Sequence, residues 1–205
     1  MKISNVKKTE NTLTFSLSGV SVAFANTLRR LMITEVPTLA VDTVTFFDNN
    51  SALYDEVVAH RIGMIPIKTD LKTFVLPEDC KCKGKGCPKC QVKFILNKEG
   101  PCTVYSRDMT CSDSKIKVAD ENIPIVKLIE GQKLKFEANA VLGRGKQHAK
   151  WQPGVISYSY EPMEKGKPTF NFFIESDGSL KPKEIVVKAA EILNAKAVEF
   201  AKELK

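Results

Sequence analysis

Apolar and polar residues alternate at Ile3-Ser4-Asn5-Val6 and again at Leu13-Thr14-Phe15-Ser16-Leu17, with a polar, turn-like stretch over 7–11 between them. This pattern predicts a β-hairpin. The period then changes: Phe24, Leu28 and Leu31 recur at i, i+4 and i+7, with Ala25 and Met32 beside them, and Ser21 is placed to cap the helix they imply. Pro37 forbids its continuation. Asn26, Arg29 and Arg30 fall away from the centre of the apolar stripe. Residues 39–47 read as a β-rich run, and 54–62 as a short helix ending at Gly63 before Pro66.

Strand patterns follow at 92–96, 103–105 and 134–141, the last with clear period-two alternation, and again at 155–160 and 169–174. The clearest element is a helix near the end of the chain. After Gly178 and Pro182, Val186, Ala189, Ala190, Leu193, Ala197, Phe200, Ala201 and Leu204 keep to one face. At 1.5 Å per residue it is about 30 Å long, more than one small domain can cover, so its stripe calls for a partner. Helix-rich segments beside strands at both ends and a β-rich middle predict an α+β protein with one domain inserted into another. The boundaries expected are 1–38 plus 163–205 for the outer domain and 39–162 for the insert.

Composition narrows the function classes. Of 205 residues, 43% are hydrophobic and 27% charged, enough for a packed core without disulfide staples. Apolar runs are far shorter than the roughly 20 residues that cross a bilayer, and the first residues carry no secretory pattern. A cytoplasmic location and no membrane contact are therefore expected. The formal charge of +7 is not spread evenly. Lys81, Lys83, Lys85 and Lys89 lie between Cys80 and Cys90, and Arg144, Lys146 and Lys150 between Gly143 and Gly154, with no acid in either stretch. Setting those seven aside leaves 24 basic residues against 24 acidic ones.

Cys80, Cys82, Cys87 and Cys90 follow a C-x-C-x4-C-x2-C spacing over 80–90, with glycines that let the backbone wrap and lysines that favour thiolates. Four sulfurs at one point suit tetrahedral Zn²⁺, one structural ion with no open coordination position. An iron–sulfur cluster also takes four thiolates, and redox-active or unligated thiols are a third reading. Cys102 and Cys111 are isolated and read as small semi-buried hydrophobes. The loop over 143–154 holds the only tryptophan, Trp151, among cations and His148, which suits either a phosphate contact or an interface anchored on an aromatic ring. The two histidines are far apart, Asp55 and Glu56 point about 100° apart on a helix, and no nucleophile elbow, P-loop or dinucleotide pattern occurs. No catalytic residue is assigned.

Three motifs carry a resemblance: Phe24-Ala25-Asn26-Thr27-Leu28-Arg29-Arg30 with Glu35-Val36-Pro37; Ala59-His60-Arg61-Ile62-Gly63-Met64-Ile65-Pro66; and Leu142-Gly143-Arg144-Gly145-Lys146-Gln147-His148-Ala149-Lys150-Trp151-Gln152-Pro153. In this order they resemble the archaeal members of the RNA polymerase α-like family, which includes the bacterial α-subunit N-terminal domain and the eukaryotic third-largest polymerase subunit. The resemblance covers essentially the whole chain. It implies a polymerase-α-like dimerisation domain of helices and antiparallel sheet, interrupted by a β-rich insert domain with a zinc loop. It further implies a non-catalytic assembly platform within the nucleotidyltransferase holoenzyme of DNA-directed RNA polymerase, pairing with a small subunit L as a heterodimer. The helices at 22–33 and 183–204 would form the bundle, with Phe24, Leu28, Leu193, Phe200 and Leu204 as contacts. Arg29, Arg30, Arg144, Lys146, His148, Lys150 and Trp151 would meet the second-largest subunit and the adaptor subunits N and P, and DNA would be reached only through the holoenzyme. Members carrying a ferredoxin-like iron–sulfur insertion place it where this chain has the short joint 163–167, so no such cluster is expected. A stand-alone zinc-containing nucleic-acid-binding module is the alternative from another class, and a thiol enzyme using Cys80 and Cys82 a remoter one.

Overall fold

A computed structural model describes residues 1–161 and 168–204. In chain order the elements are β1 (Lys2–Lys8), β2 (Thr12–Ser18), α1 (Val22–Thr34), β3 (Pro37–Asn49), α2 (Asp55–Gly63), β4 (Gln91–Glu99), β5 (Cys102–Tyr105), β6 (Thr110–Cys111), β7 (Pro124–Leu128), β8 (Lys133–Arg144), β9 (Gly154–Glu161), β10 (Thr169–Ser176) and α3 (Pro182–Glu203). Helices and antiparallel sheets make this an α+β protein. No helix among the described residues is long and apolar enough to cross a membrane. The chain divides into two compact units, Met1–Val36 with Arg144–Lys205, and Pro37–Gly143.

The first unit is built on a four-stranded sheet in the order β1-β2-β10-β9. Its strands bury alternate side chains because successive residues point to opposite faces. Leu13, Phe15 and Leu17 of β2 sit opposite Ile174, Phe172 and Phe170 of β10, and the Phe15 and Phe172 rings stack with centroids 5.0 Å apart. Both helices pack on the sheet and against each other. Ser21 caps α1, its Oγ accepting from the Phe24 N–H at 3.2 Å, and Ala25, Leu28, Leu31 and Met32 are buried. In α3 the buried residues are Pro182, Ile185 and Ala189, all in the first half. From Asn194 to Leu204 every residue is exposed.

The second unit has a four-stranded sheet in the order β3-β8-β4-β6 and a small sheet of β5 and β7. β4 and β8 pair antiparallel from Gln91↔Val141 to Glu99↔Lys133. Phe94, Leu96, Phe136 and Ala138 from these strands join Val58 and Ile62 of α2, and Ile67 and Ile125, in one buried cluster.

The sequence reading places 155–160 in the insert, and here the structure differs. β9 pairs with β10 along its whole length, from Gly154↔Ser176 to Glu161↔Thr169, which draws it into the unit holding both chain ends. The observed division is at Gly143 and Arg144. β6 and β7 carry no clear strand pattern in the sequence: one has two residues and the other starts on a proline. The joint at 163–167 lies outside the described residues.

Candidate metal centre and subunit interface

The four cysteines of the 80–90 loop come together at one point. Their ligand atoms lie within 4.8 Å of one another, with Sγ separations of 3.5 Å for Cys80 and Cys87, 3.4 Å for Cys82 with both Cys80 and Cys90, and 3.7 Å for Cys87 and Cys90. Two tight turns produce this. The Lys83 N–H donates to the Cys80 carbonyl at 2.9 Å and the Cys90 N–H to the Cys87 carbonyl at 2.9 Å. Between them the backbone turns through left-handed conformations at Lys83 (φ 52°), Gly84 (φ 77°) and Gly86 (φ 84°), which glycine adopts without a Cβ penalty.

Zn–S bonds of about 2.3 Å at tetrahedral angles require sulfurs about 3.8 Å apart, so this set could hold a metal ion with little adjustment. The thiols do not behave alike on their own. Hydrogen bonding with Cys80, and then with Cys90, lowers Cys82 to about 6, while burial and the neighbouring sulfurs push Cys90 up to about 12. Four negative charges at this spacing need a cation at their centre. Lys81, Lys83, Lys85 and Lys89 are all exposed around the loop.

The second feature is an apolar groove of about 390 Å³ in the unit holding both chain ends. Ile3 from β1 and Phe15 and Leu17 from β2 line one side, Phe24 and Leu28 from α1 another, and Val186, Ala190, Leu193, Asn194 and Ala197 from α3 the third, with Met1 alongside. The groove continues the exposed half of α3, where Phe200 is 67% and Leu204 73% exposed. Phe24, Leu28 and Leu193, expected as contacts, thus share one groove, although Leu28 is already largely buried by the chain itself.

The remaining expected contacts sit at the C-terminal end of α1 and the loop beside it. The Lys146 N–H donates to the Thr34 carbonyl at 3.0 Å, and a Cβ on Gly145 would collide with the Ile33 carbonyl oxygen, so only glycine allows this approach. Within the loop the Arg144 N–H donates to Gln147 Oε1 at 2.9 Å and the Lys150 N–H to His148 Nδ1 at 3.0 Å. Arg30, Lys146 and His148 are exposed, and Arg29, Arg144 and Lys150 are half-buried. Arg29 is held by Asn26 Oδ1, which accepts from Nη2 at 3.0 Å and Nε at 3.3 Å. Trp151, expected as the aromatic anchor of an interface, is largely enclosed by the chain itself. Its ring is buried, 8% exposed, and Lys150 Nζ lies 4.3 Å over it, so the tryptophan fastens the loop from within and the cations form its outer surface.

A model of the RNA polymerase Rpb3/RpoA insert domain matches residues 41–157, more than half of the chain. The chain belongs to the Rpb3/RpoA family of RNA polymerase. Among curated relatives it is similar to the DNA-directed RNA polymerase subunit Rpo3 of Methanosarcina mazei, 50% identical over 156 residues, which cover 76% of this chain and 59% of that protein. The Rpo3 subunit of Pyrococcus horikoshii is 51% identical over 160 residues, covering 78% and 60%. That of Methanothermobacter thermautotrophicus is 33% identical over 255 residues, covering 96% of each. The chain thus spans about three fifths of the length of the first two. Within the Rpb3/RpoA match lie all four cysteines, α2 and the loop carrying Trp151. The hairpin β1–β2, α1 and α3 lie outside it.

Proposed function

We propose that this chain is a non-catalytic assembly subunit of DNA-directed RNA polymerase, serving transcription by pairing with a smaller subunit of the L type. The observation that carries this reading is the exposed second half of α3 beside an apolar groove. A helix whose apolar side chains stay in water after folding gains stability only when another surface covers it. Each large side chain so buried contributes about 1.5–3 kcal/mol. The partner's helices would complete a bundle on α1 and α3.

The cationic surface of residues 144–150, with Arg29 and Arg30 on α1, would meet the second-largest subunit and the adaptor subunits N and P. DNA would be reached only through the assembled enzyme, whose catalytic groups belong to other subunits. Cys80, Cys82, Cys87 and Cys90 would hold one structural Zn²⁺, a Lewis acid used here only as a cross-link between the two turns. The chain's own contribution is the spacing of four thiolates and a shell of lysines that offsets their charge.

Co-expression with the L-type subunit of the same polymerase, followed by size-exclusion chromatography and identification of the bound chains, tests the reading. A stoichiometric complex in which the chain gains stability is expected. A chain that stays monomeric and equally stable with and without that subunit would overturn it. Salt-dependent binding of the isolated chain to duplex DNA at micromolar affinity or better would favour the nucleic-acid module instead. Elemental analysis with an absorption spectrum reports the ion: zinc without a visible band is expected.

A further inference from the structure

The two helices that line the groove are anchored unequally. α1 buries Ala25, Leu28, Leu31 and Met32 along its length, whereas the buried residues of α3 end at Ala189 and every residue from Asn194 to Leu204 is exposed. A helical segment shorter than about 12 residues is marginal in water without tertiary contacts. This open half of α3 has a tie to another element: Lys196 Nζ lies 3.0 Å from Glu35 Oε1 at the end of α1. The pair of Lys188 with Glu191, at 3.2 Å, stays within α3.

Glu35 stands where a carboxylate is poorly tolerated. It is the C-cap residue of α1, at the negative end of the helix dipole, and no basic residue lies in the last turn of that helix to offset it. Its side chain is only 15% exposed, while that of Lys196 is 51% exposed. The dependence is therefore one-sided. Removing the lysine strands a largely dehydrated carboxylate, whereas removing the carboxylate leaves a lysine that water already hydrates. Along α3, Lys196 lies between Leu193 and Ala197 of the groove wall, and Glu35 ends the helix whose Phe24 and Leu28 form another wall. The pair joins one wall to the other.

We propose that Glu35 and Lys196 form a clasp that keeps the open half of α3 helical and laid against α1 in the free chain, so that the groove exists before anything occupies it. An arm held in place spares a partner the cost of ordering it. That consequence rests on the reading above that a smaller subunit covers α3. The clasp itself is a property of the free chain, whatever covers the groove.

Hydrogen–deuterium exchange of the whole free chain, read by peptide mass spectrometry, measures opening at 194–203 in wild type, Lys196→Met, Glu35→Gln, Lys188→Met and the exchanged pair Glu35→Lys with Lys196→Glu. Lys196→Met is expected to speed exchange there by about tenfold, with β4 and β8 unchanged, and Glu35→Gln by less. The exchanged pair should restore slow exchange, since a lysine suits the end of α1. Lys188→Met should leave 194–203 as in wild type. Equal exchange in wild type and Lys196→Met would overturn the clasp, and so would equal acceleration by Lys188→Met, which would report a general loss of helicity. Titration with the L-type subunit separates the two claims. Lys196→Met should weaken that complex by a factor similar to its effect on exchange, and undiminished affinity with an opened arm would overturn the preorganising role. If wild type itself fails to bind, the pairing reading falls and the exchange result still decides the clasp.

Discussion

The two compact units solve the burial problem differently. In the unit spanning Pro37–Gly143, side chains from two sheets and a helix enclose one another, and Phe94, Phe136, Ile62 and Ile125 are wholly removed from water. The unit holding both chain ends buries the face of its sheet under α1 and the first half of α3, then leaves the second half of α3 uncovered. One unit derives its stability from its own sequence. The other leaves an apolar surface open, which on the proposed reading a different chain covers. A substitution in the first should therefore act on folding, and one on the open part of the second on association.

Removing Phe136 tests the closed side of that contrast most severely. Phe136→Ala should cost about 3–5 kcal/mol in chemical denaturation, equally with and without a partner. Phe200→Asp tests the open side. It should cost at least about 2 kcal/mol of pairing energy in a titration with the L-type subunit, yet change the free chain's stability by no more than about 0.5 kcal/mol. Equal losses of folding stability in both variants would erase the distinction.

Gly145→Ala lies between these extremes. The added methyl would meet the Ile33 carbonyl, so a loss of about 1–3 kcal/mol is expected by thermal melting, together with weaker docking of any partner that reads the cationic loop. The smallest effect concerns pH in the closed unit. Burial alone would raise the Asp108 carboxyl, but the Lys98 ammonium at 2.8 Å and the Tyr105 N–H hold it below the usual range. A depressed folded-state value means stabilisation that is present above the unfolded value of about 4 and lost as pH falls through the folded one. Lys98→Met should flatten that acid limb of the stability profile by lowering stability in the neutral region, while stability below the folded-state value changes least.

Much of this is legible from local pattern. The stripe Phe24, Leu28, Leu31, the cap Ser21 and the period-two run in β8 are properties of neighbouring residues, and each element forms where its pattern lies. The cysteine spacing converges for the same reason, since eleven residues with two turns leave the sulfurs little room. What is not legible depends on distant partners. The placement of β9 follows from its pairing with β10, and nothing in 155–160 names that strand. Trp151 among cations has the composition of an exposed anchor, but whether its ring faces in or out is decided by the packing of the loop.

The pairing of β2 with β10 has a bearing on how the chain is made. Ser16 and Asn171, hydrogen bonded at 2.9 Å, are 155 positions apart. At translation rates of about 5–20 residues per second, β2 leaves the ribosome roughly 8 to 30 seconds before β10 exists, with Leu13, Phe15 and Leu17 waiting in water. The unit from Pro37 to Gly143 can close during that interval. The nascent chain would thus carry a finished domain beside an adhesive hairpin, which makes the first 18 residues the stretch most in need of chaperone protection during synthesis.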